Sequence, residues 1–385
     1  MARILYISEG YSTHDRRFLE KLAGSGHQIW FLPCRRDPVS LERRPVPAGV
    51  ERLPVLAAGR GRPWEGLVSW SRLQRHLRRI RPDLVHAGPV QSGGFLAALA
   101  GARPLLVMSW GSDLLVAPDR SPWHRWVTRF TLRRAGMVLA DCHAVRERAA
   151  ALGGIEDGQI VLLPFGVDLT RFSAEAQTSD IRQRLKWEGN PVILSTRSFE
   201  PGRGTGIFLR ALERVLARRP DVRVLMLGDG RLRSEVERSV ERAGLRARVH
   251  LAGQIPNDQM AGYFREADLY VSASESDGTS ISLLEAMASG LAVVVPDAFG
   301  NREWVTPGAN GWTYPAGDAE KLAGCILQAL ESEEQRAAMG RANRELVAEH
   351  ADWDRNFQRL LTGYERLLAQ AQANGGGDGA SVQDR

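Results

Sequence analysis

Lysine is nearly missing from this chain. It stands only at positions 21, 186 and 321, and arginine carries almost all of the positive charge, a bias that reflects genome composition rather than function. Cysteine is as scarce. Cys34, Cys142 and Cys325 are widely spaced and odd in number, which excludes a disulfide framework and any metal-ligand spacing and points to a reducing cytosol. No apolar run approaches the roughly 18 to 20 residues that span a bilayer. The apolar part of MARILYISEG is too short for a signal peptide and reads as a first strand. A cytoplasmic protein, soluble or peripheral on the membrane face, is expected. No Gly-x-Gly-x-x-Gly follows that strand, which excludes an ordinary dinucleotide dehydrogenase, and no solenoid repeat is present.

What is there is ordinary for a globular chain: 43% hydrophobic and 25% charged residues over 385 positions, enough for two cores. The net charge of +6 is uneven. Residues 1–170 hold 24 Lys and Arg against 15 Asp and Glu, and the remainder 27 against 30. A basic first half suits an anionic membrane, an anionic acceptor, nucleic acid or merely solvated helix faces.

Strands and helices alternate throughout. ARILYIS, HQIWFLP, DLVHAG, PLLVMSW, MVLAD and QIVLLPF read as strands with helices between them. After a linker near 172–190 the pattern restarts with PVILSTR, DVRVLML, RVHLAG, DLYVSAS and AVVV. This alternation predicts two doubly wound α/β domains with a ligand cleft at the carboxyl ends of their sheets. The boundaries expected are 1–171, 172–355, a helix over 356–370 crossing back to the first domain, and a disordered tail over 371–385.

The stretch 268–305 carries the chemistry. ESDGTS is a turn, and SISLLEAMAS a helix that is apolar or small all round, hence buried. Glu285 sits inside it. A buried carboxylate needs a partner, either a core Arg, backbone amides or ligand hydroxyls. The turn carries Asp277 and runs into a helix N-terminus, which favours an anion. Arg197 ends PVILSTR, and Arg203 lies in the glycine-rich PGRGTG, a phosphate-cradle pattern. Pairing with Glu200 or Asp229 is their alternative role.

With STRSFEPGRGTGIFLRAL, VLMLGDGRL, VHLAGQIPNDQ, SESDGTSISLLEAMASGLAVVV and NGWTYPAGD on one chain, the sequence resembles the retaining glycosyltransferases of family 4, which have the GT-B fold of two Rossmann-like domains with an interdomain cleft. The looser first-half matches are KLAGSGHQIWFL, RPDLVHAG, SWGSDL and VLLPFGVDLTRF. The resemblance implies transfer of a sugar from a nucleoside-diphosphate donor to a glycan, lipid or small-molecule hydroxyl. It implies no metal and no other cofactor, and nucleic acid is not an expected partner. Glu285 matches the second Glu of the family's Glu-(seven residues)-Glu motif and would hold the ribose. Asp277 takes the first Glu position with a shorter reach. The backbone of Gly278, Thr279, Ser280 and Ile281 would meet sugar and phosphates, Arg197 and Arg203 the diphosphate, and Ile255 the base.

Two departures stand out. Gly10 alone remains of the family's Gly-Gly loop. Trp110-Gly111-Ser112-Asp113 replaces His-Gly-x-Asp, which excludes proton transfer by a His there and leaves Asp113 for acceptor or sugar contacts. His14 and His86 are the substitutes to examine. A sugar-nucleotide epimerase of the same architecture, or a non-catalytic sugar-nucleotide-binding subunit, are the rival readings. Lastly, Trp123, Trp126, Val127 and Phe130 recur at i, i+3, i+4, i+7 among Arg125, Arg129, Arg133 and Arg134. The helix over 122–134 is then either a peripheral membrane contact or a core stripe with a solvated face.

Overall fold

The computed structural model describes residues 1–35, 42, 44–56, 65–173 and 179–376. The chain separates into two compact units, residues 164–356 forming the second and the segments on either side of it the first.

Unit 1 is built on seven strands: β1 (Arg3–Ser8), β2 (Gln28–Pro33), β3 (Val50–Arg52), β4 (Leu84–Ala87), β5 (Leu105–Met108), β6 (Met137–Ala140) and β7 (Ile160–Leu162). All pair in parallel, in the order β3-β2-β1-β4-β5-β6-β7. Strands β4, β5 and β6 are buried along their whole length, as expected of a sheet covered on both faces. The helices are α1 (Thr13–Ala23), α2 (Glu65–Ile80), α3 (Phe95–Leu99), α4 (Ser112–Leu115), α5 (Pro122–Leu132) and α6 (His143–Gly153). Local chemistry starts them. Ser12 and Asp15 form a capping box on α1. On α5, Ser121 accepts from the His124 amide at 3.3 Å and Pro122 takes the first position.

Unit 2 has six parallel strands in the order β10-β9-β8-β11-β12-β13. They are β8 (Val192–Ser195), β9 (Arg223–Leu227), β10 (Val249–Gly253), β11 (Leu269–Val271), β12 (Ala292–Pro296) and β13 (Gly311–Tyr314). The helices are α7 (Ile181–Leu185), α8 (Thr205–Arg218), α9 (Arg233–Arg242), α10 (Met260–Arg265), α11 (Ile281–Ala288), α12 (Asn301–Trp304), α13 (Ala319–Glu331) and α14 (Glu333–His350). One core cluster lies under α8, α9 and α13, a second under α10, α11 and α14. Helix α11 is seated by a close approach. A Cβ on Gly340 of α14 would stand 1.9 Å from the carbonyl oxygen of Gly290, just past the end of α11.

The last helix, α15 (Trp353–Gly376), starts in unit 2 and packs on unit 1 from Phe357 onward. Phe357 meets Phe18, the Tyr364 hydroxyl meets His86 Nδ1 at 2.5 Å, and Arg359 donates to the Leu162 carbonyl. Two sequence boundaries shift. The first division falls at 163/164, because Val167 donates to the Ala351 carbonyl at 2.8 Å and so belongs with unit 2. The helix also continues past 370 to Gly376, since AQAQA is made of good helix formers; the rest of the expected tail lies outside the described residues. No helix among the described residues is long and apolar enough to cross a membrane.

Candidate functional site

The sheet of unit 2 reverses its winding between β8 and β11. At such a switch point the loops leave in opposite directions and open a crevice at the carboxyl ends of the strands. Polar side chains collect there. Arg197 follows β8 and Ser272 follows β11. Arg197 Nε donates to Ser272 Oγ at 3.0 Å, and Nη2 donates to Ser280 Oγ at 2.6 Å. The same Nη2 lies 2.6 Å from Asp277 Oδ2. Arg203 Nη1 donates to Asp277 Oδ1 at 3.0 Å. One carboxylate therefore bridges two guanidinium groups. Arg197 and Asp277 are largely sheltered, and Arg203 is more open. Burial is the largest single influence on Arg197 and lowers its pKa, but the charges and hydrogen bonds of Asp277 and Tyr270 together outweigh it and hold the guanidinium above its ordinary value.

The backbone around this cluster leaves no room for side chains. Gly204 opens α8 at φ 72°, and a Cβ there would stand 1.8 Å from the Ala273 carbonyl oxygen. A Cβ on Gly228 would stand 2.3 Å from the Arg197 carbonyl oxygen. On the far side of the turn, a Cβ on Gly300 would stand 2.3 Å from the Gly278 carbonyl oxygen. Thr279 Oγ1 accepts from the Trp304 indole at 3.4 Å. Ser280 is the N-cap of α11, so one serine organises the helix start and holds Arg197. Ile281 opens the helix, and Glu285 lies one turn further on, only 8% exposed. Ile255 follows β10 and is half-buried at the edge of the core cluster under α10, α11 and α14.

The structure thus links Arg197 to both Asp277 and Ser280, and Arg203 to Asp277. It does not use Glu200 for this, which pairs with Arg231 at 2.6 Å. Ser272 was not singled out from the sequence. Its place right after an apolar strand, two residues before another serine, was the only available signal. Tyr314 donates to its carbonyl at 3.1 Å and fixes that turn.

The expected residues of unit 1 are placed as follows. Gly10 lies between β1 and the Ser12 cap of α1. Asp113 is buried and accepts from the amides of Val90 and Trp110 at 2.9 Å each and from Ser109 Oγ at 2.7 Å. It holds together the turns after β4 and β5. Burial raises its pKa despite these donors. The Trp110 ring packs edge-on against His14, centroids 5.4 Å apart. His86 is wholly buried beside Tyr6, Phe18 and Tyr364 and serves as packing under the sheet.

A family model described as glycosyl transferases group 1 matches residues 177–346, and one described as glycosyltransferase family 4 matches residues 9–171. A phosphatidyl-myo-inositol mannosyltransferase of Mycolicibacterium smegmatis is 27% identical over 363 residues, 93% of this chain and 90% of that protein. A GDP-mannose-dependent monoacylated alpha-(1-6)-phosphatidylinositol monomannoside mannosyltransferase of Corynebacterium glutamicum is 30% identical over 208 residues, 51% of this chain and 54% of that one. Among solved structures, Anabaena HepE in complex with UDP and glucose has the same fold, with a TM-score of 0.78 at 20% identity over 95% of this chain and 100% of that one.

Proposed function

Because the chain belongs to the group 1 glycosyl transferases, with a family 4 first half, we propose that it moves a sugar from a nucleoside-diphosphate donor to a hydroxyl acceptor with retention at the anomeric carbon and without a metal ion. The observation that carries this is the convergence of Arg197 and Arg203 on a single carboxylate at the switch point, beside the capped start of α11. A diphosphate presents the same kind of target, an anion large enough for two guanidinium groups, and Arg meets it with paired N–H donors. Glu285, one turn into α11, takes the ribose hydroxyls.

The chemistry follows from charge. As the bond from the anomeric carbon to the diphosphate oxygen loosens, negative charge grows on the leaving oxygen. Arg197 and Arg203 stabilise it without reorganising. The leaving phosphate accepts the proton of the incoming hydroxyl on the same face, so no protein base is required. Trp110 fits such a scheme, since an indole moves no proton.

The relatives differ in donor. The Corynebacterium protein is named for GDP-mannose and the Anabaena structure holds UDP and glucose. The decisive experiment is incubation of the full chain with a panel of UDP-, GDP- and ADP-sugars and glycan, lipid and small-molecule acceptors, in chelator, reading nucleoside diphosphate release and the product's anomeric configuration. Acceptor-dependent release with a retained anomer supports the proposal. Donor interconversion without acceptor marks an epimerase, and binding without turnover marks a binding subunit. Loss of release in chelator overturns the metal-free part alone.

A further inference from the structure

Among the described residues, the large apolar side chains left in solvent all belong to unit 1: apart from Met1 they are Leu67, Val68, Trp70, Leu99, Trp123 and Trp126. They belong to three helices, α2, α3 and α5, that pack in sequence on one side of the sheet, with Leu73, Ala97, Ala98 and Leu132 below them in a common core. Leu67 is 72% exposed and Trp123 61%, values at which an isolated side chain gains nothing from the fold.

Contacts tie the three crests together. The indoles of Trp123 and Trp126 stack with centroids 5.0 Å apart. Trp126 meets Phe95 of α3 edge-on at 6.2 Å, and Phe130 meets Phe95 at 5.5 Å. Leu99 is one turn beyond Phe95 and shares its face. On α2, Leu67, Trp70 and Gln74 follow the i, i+3, i+7 spacing of one face, and Gln74 Nε2 donates to the Ala100 carbonyl at the end of α3 at 2.7 Å. The apolar side chains therefore form one strip across three helices.

Positive charge frames the strip. Arg75 and Arg78 on α2, Arg103 after α3, and Arg129, Arg133 and Arg134 along α5 are exposed, while Arg125 pairs with Asp119 at 2.6 Å. Helices α3 and α5 contain no acidic residue, and α2 has only Glu65, in its first turn. We propose that this α2–α3–α5 face docks on a lipid bilayer that carries anionic phospholipids, the tryptophans and leucines entering the headgroup boundary and the arginines meeting phosphates. Charge complementarity selects that occupant. A second copy would set arginine against arginine about a two-fold axis. A nucleic acid would satisfy the arginines but offer nothing to Leu67, Val68 or Leu99.

The test uses the full chain and vesicles of pure phosphatidylcholine or of phosphatidylcholine and phosphatidylglycerol in equal parts. Co-sedimentation is expected with the anionic vesicles only, weakening as salt shortens the Debye length toward about 3 Å. The double variants Trp123→Ala/Trp126→Ala and Leu67→Ser/Trp70→Ala should each raise the half-binding lipid concentration by about tenfold or more, because each removes two interfacial apolar anchors. Both double variants should keep the far-ultraviolet circular dichroism of wild type and unfold cooperatively, with midpoints lowered only modestly because Trp70 and Trp126 are partly buried. No sedimentation at low ionic strength, equal binding to both vesicle types, or wild-type binding by both double variants would overturn the proposal. So would variants that keep vesicle binding and instead abolish a dimer in sedimentation velocity or RNA retention on a filter. None of these readouts depends on the transferase reading.

Discussion

Asp277 Oδ2 lies 2.6 Å from Arg197 Nη2, while Oδ1 of the same carboxylate receives Arg203 at 3.0 Å. The two arginines proposed to hold a diphosphate are thus already bridged by an internal anion. A donor has to displace that carboxylate from at least one of them. Asp277→Asn keeps the shape and removes the charge. Its dissociation constant for a nucleoside diphosphate is expected to fall by about three- to tenfold, the ~1 kcal/mol scale of a sheltered ion pair that no longer competes. The same substitution leaves two partly buried guanidinium groups without their counter-charge, so unfolding free energy should drop by roughly 1 kcal/mol or more. Calorimetric titration of both proteins decides it. Unchanged or weaker affinity in Asp277→Asn would mean that the carboxylate and the ligand do not share the arginines.

The donor site divides into a phosphate end and a ribose end, and the two respond to different probes. Arg197→Ala removes a charged partner of the phosphates and should weaken inorganic pyrophosphate and nucleoside diphosphate alike. Turnover should fall by about 10²–10³-fold, as when one preorganised stabiliser of developing charge is lost. Glu285→Gln removes a charged acceptor for hydroxyl groups, worth about 1.5–3 kcal/mol, or roughly ten- to a hundredfold in affinity. That loss should appear with the nucleoside diphosphate and not with pyrophosphate. If Glu285→Gln weakens both equally, the buried carboxylate acts on the fold of α11 and not on the ribose.

How much of this could be read beforehand depended on range. Buried parallel strands betray themselves locally, as VILS and AVVV do, and the carboxyl end of VILS marked where Arg197 would emerge, whereas Ser272 after β11 carried no signal beyond its position. The Arg203–Asp277 pair is separated by 74 residues, and nothing local distinguishes it from a pairing with nearby Glu200. The Trp123–Phe130 spacing was ambiguous for a different reason. The same period serves a core stripe and an interfacial one, and what separated them is that Val127 fills the core under α5 while the two indoles remain outside. The role of Asp113 was hidden likewise, since a buried carboxylate with three internal donors and a solvent-facing one have the same sequence.

Close backbone approach gives a prediction independent of ligands. A Cβ at Gly204 would overlap the Ala273 carbonyl oxygen at 1.8 Å, in a left-handed conformation that an L residue resists. The loop carrying Arg203 would have to move away from the turn carrying Asp277. Gly204→Ala is expected to cost several kcal/mol of stability, or to fold with the loop displaced and nucleoside diphosphate affinity reduced about tenfold or more. Gly202→Ala is the control. Its φ of 80° is also left-handed, but nothing lies within 4 Å of the added carbon, so only the backbone cost of about 1 kcal/mol applies. Equal effects of the two substitutions would remove the steric argument.

His86 sets a pH dependence on unit 1. Desolvation lowers its pKa to about 3, and its ring is enclosed by Tyr6, Phe18 and Tyr364. The unfolded chain binds a proton at this residue near pH 6.5, while the folded chain resists until about 3. Between those values the unfolded state holds more protons, so stability is full above pH 6.5 and is lost as pH falls toward 3. The span corresponds to a few kcal/mol at the acid end, at about 1.4 kcal/mol per pH unit. Asp15, which accepts from the Tyr6 hydroxyl at 3.1 Å, acts in the opposite sense. Burial raises its pKa, so it stabilises at acid pH and loses that contribution as pH rises through its folded value. Replacing His86 by Gln removes the first effect and keeps the second. Urea unfolding of both proteins from pH 7 to pH 4 should show a steeper decline in wild type, with the curves converging toward low pH from a less stable variant at neutral pH. Parallel curves would show that the imidazole is protonated as readily in the folded chain as in the unfolded one, and that its enclosure by the three rings exerts no electrostatic cost.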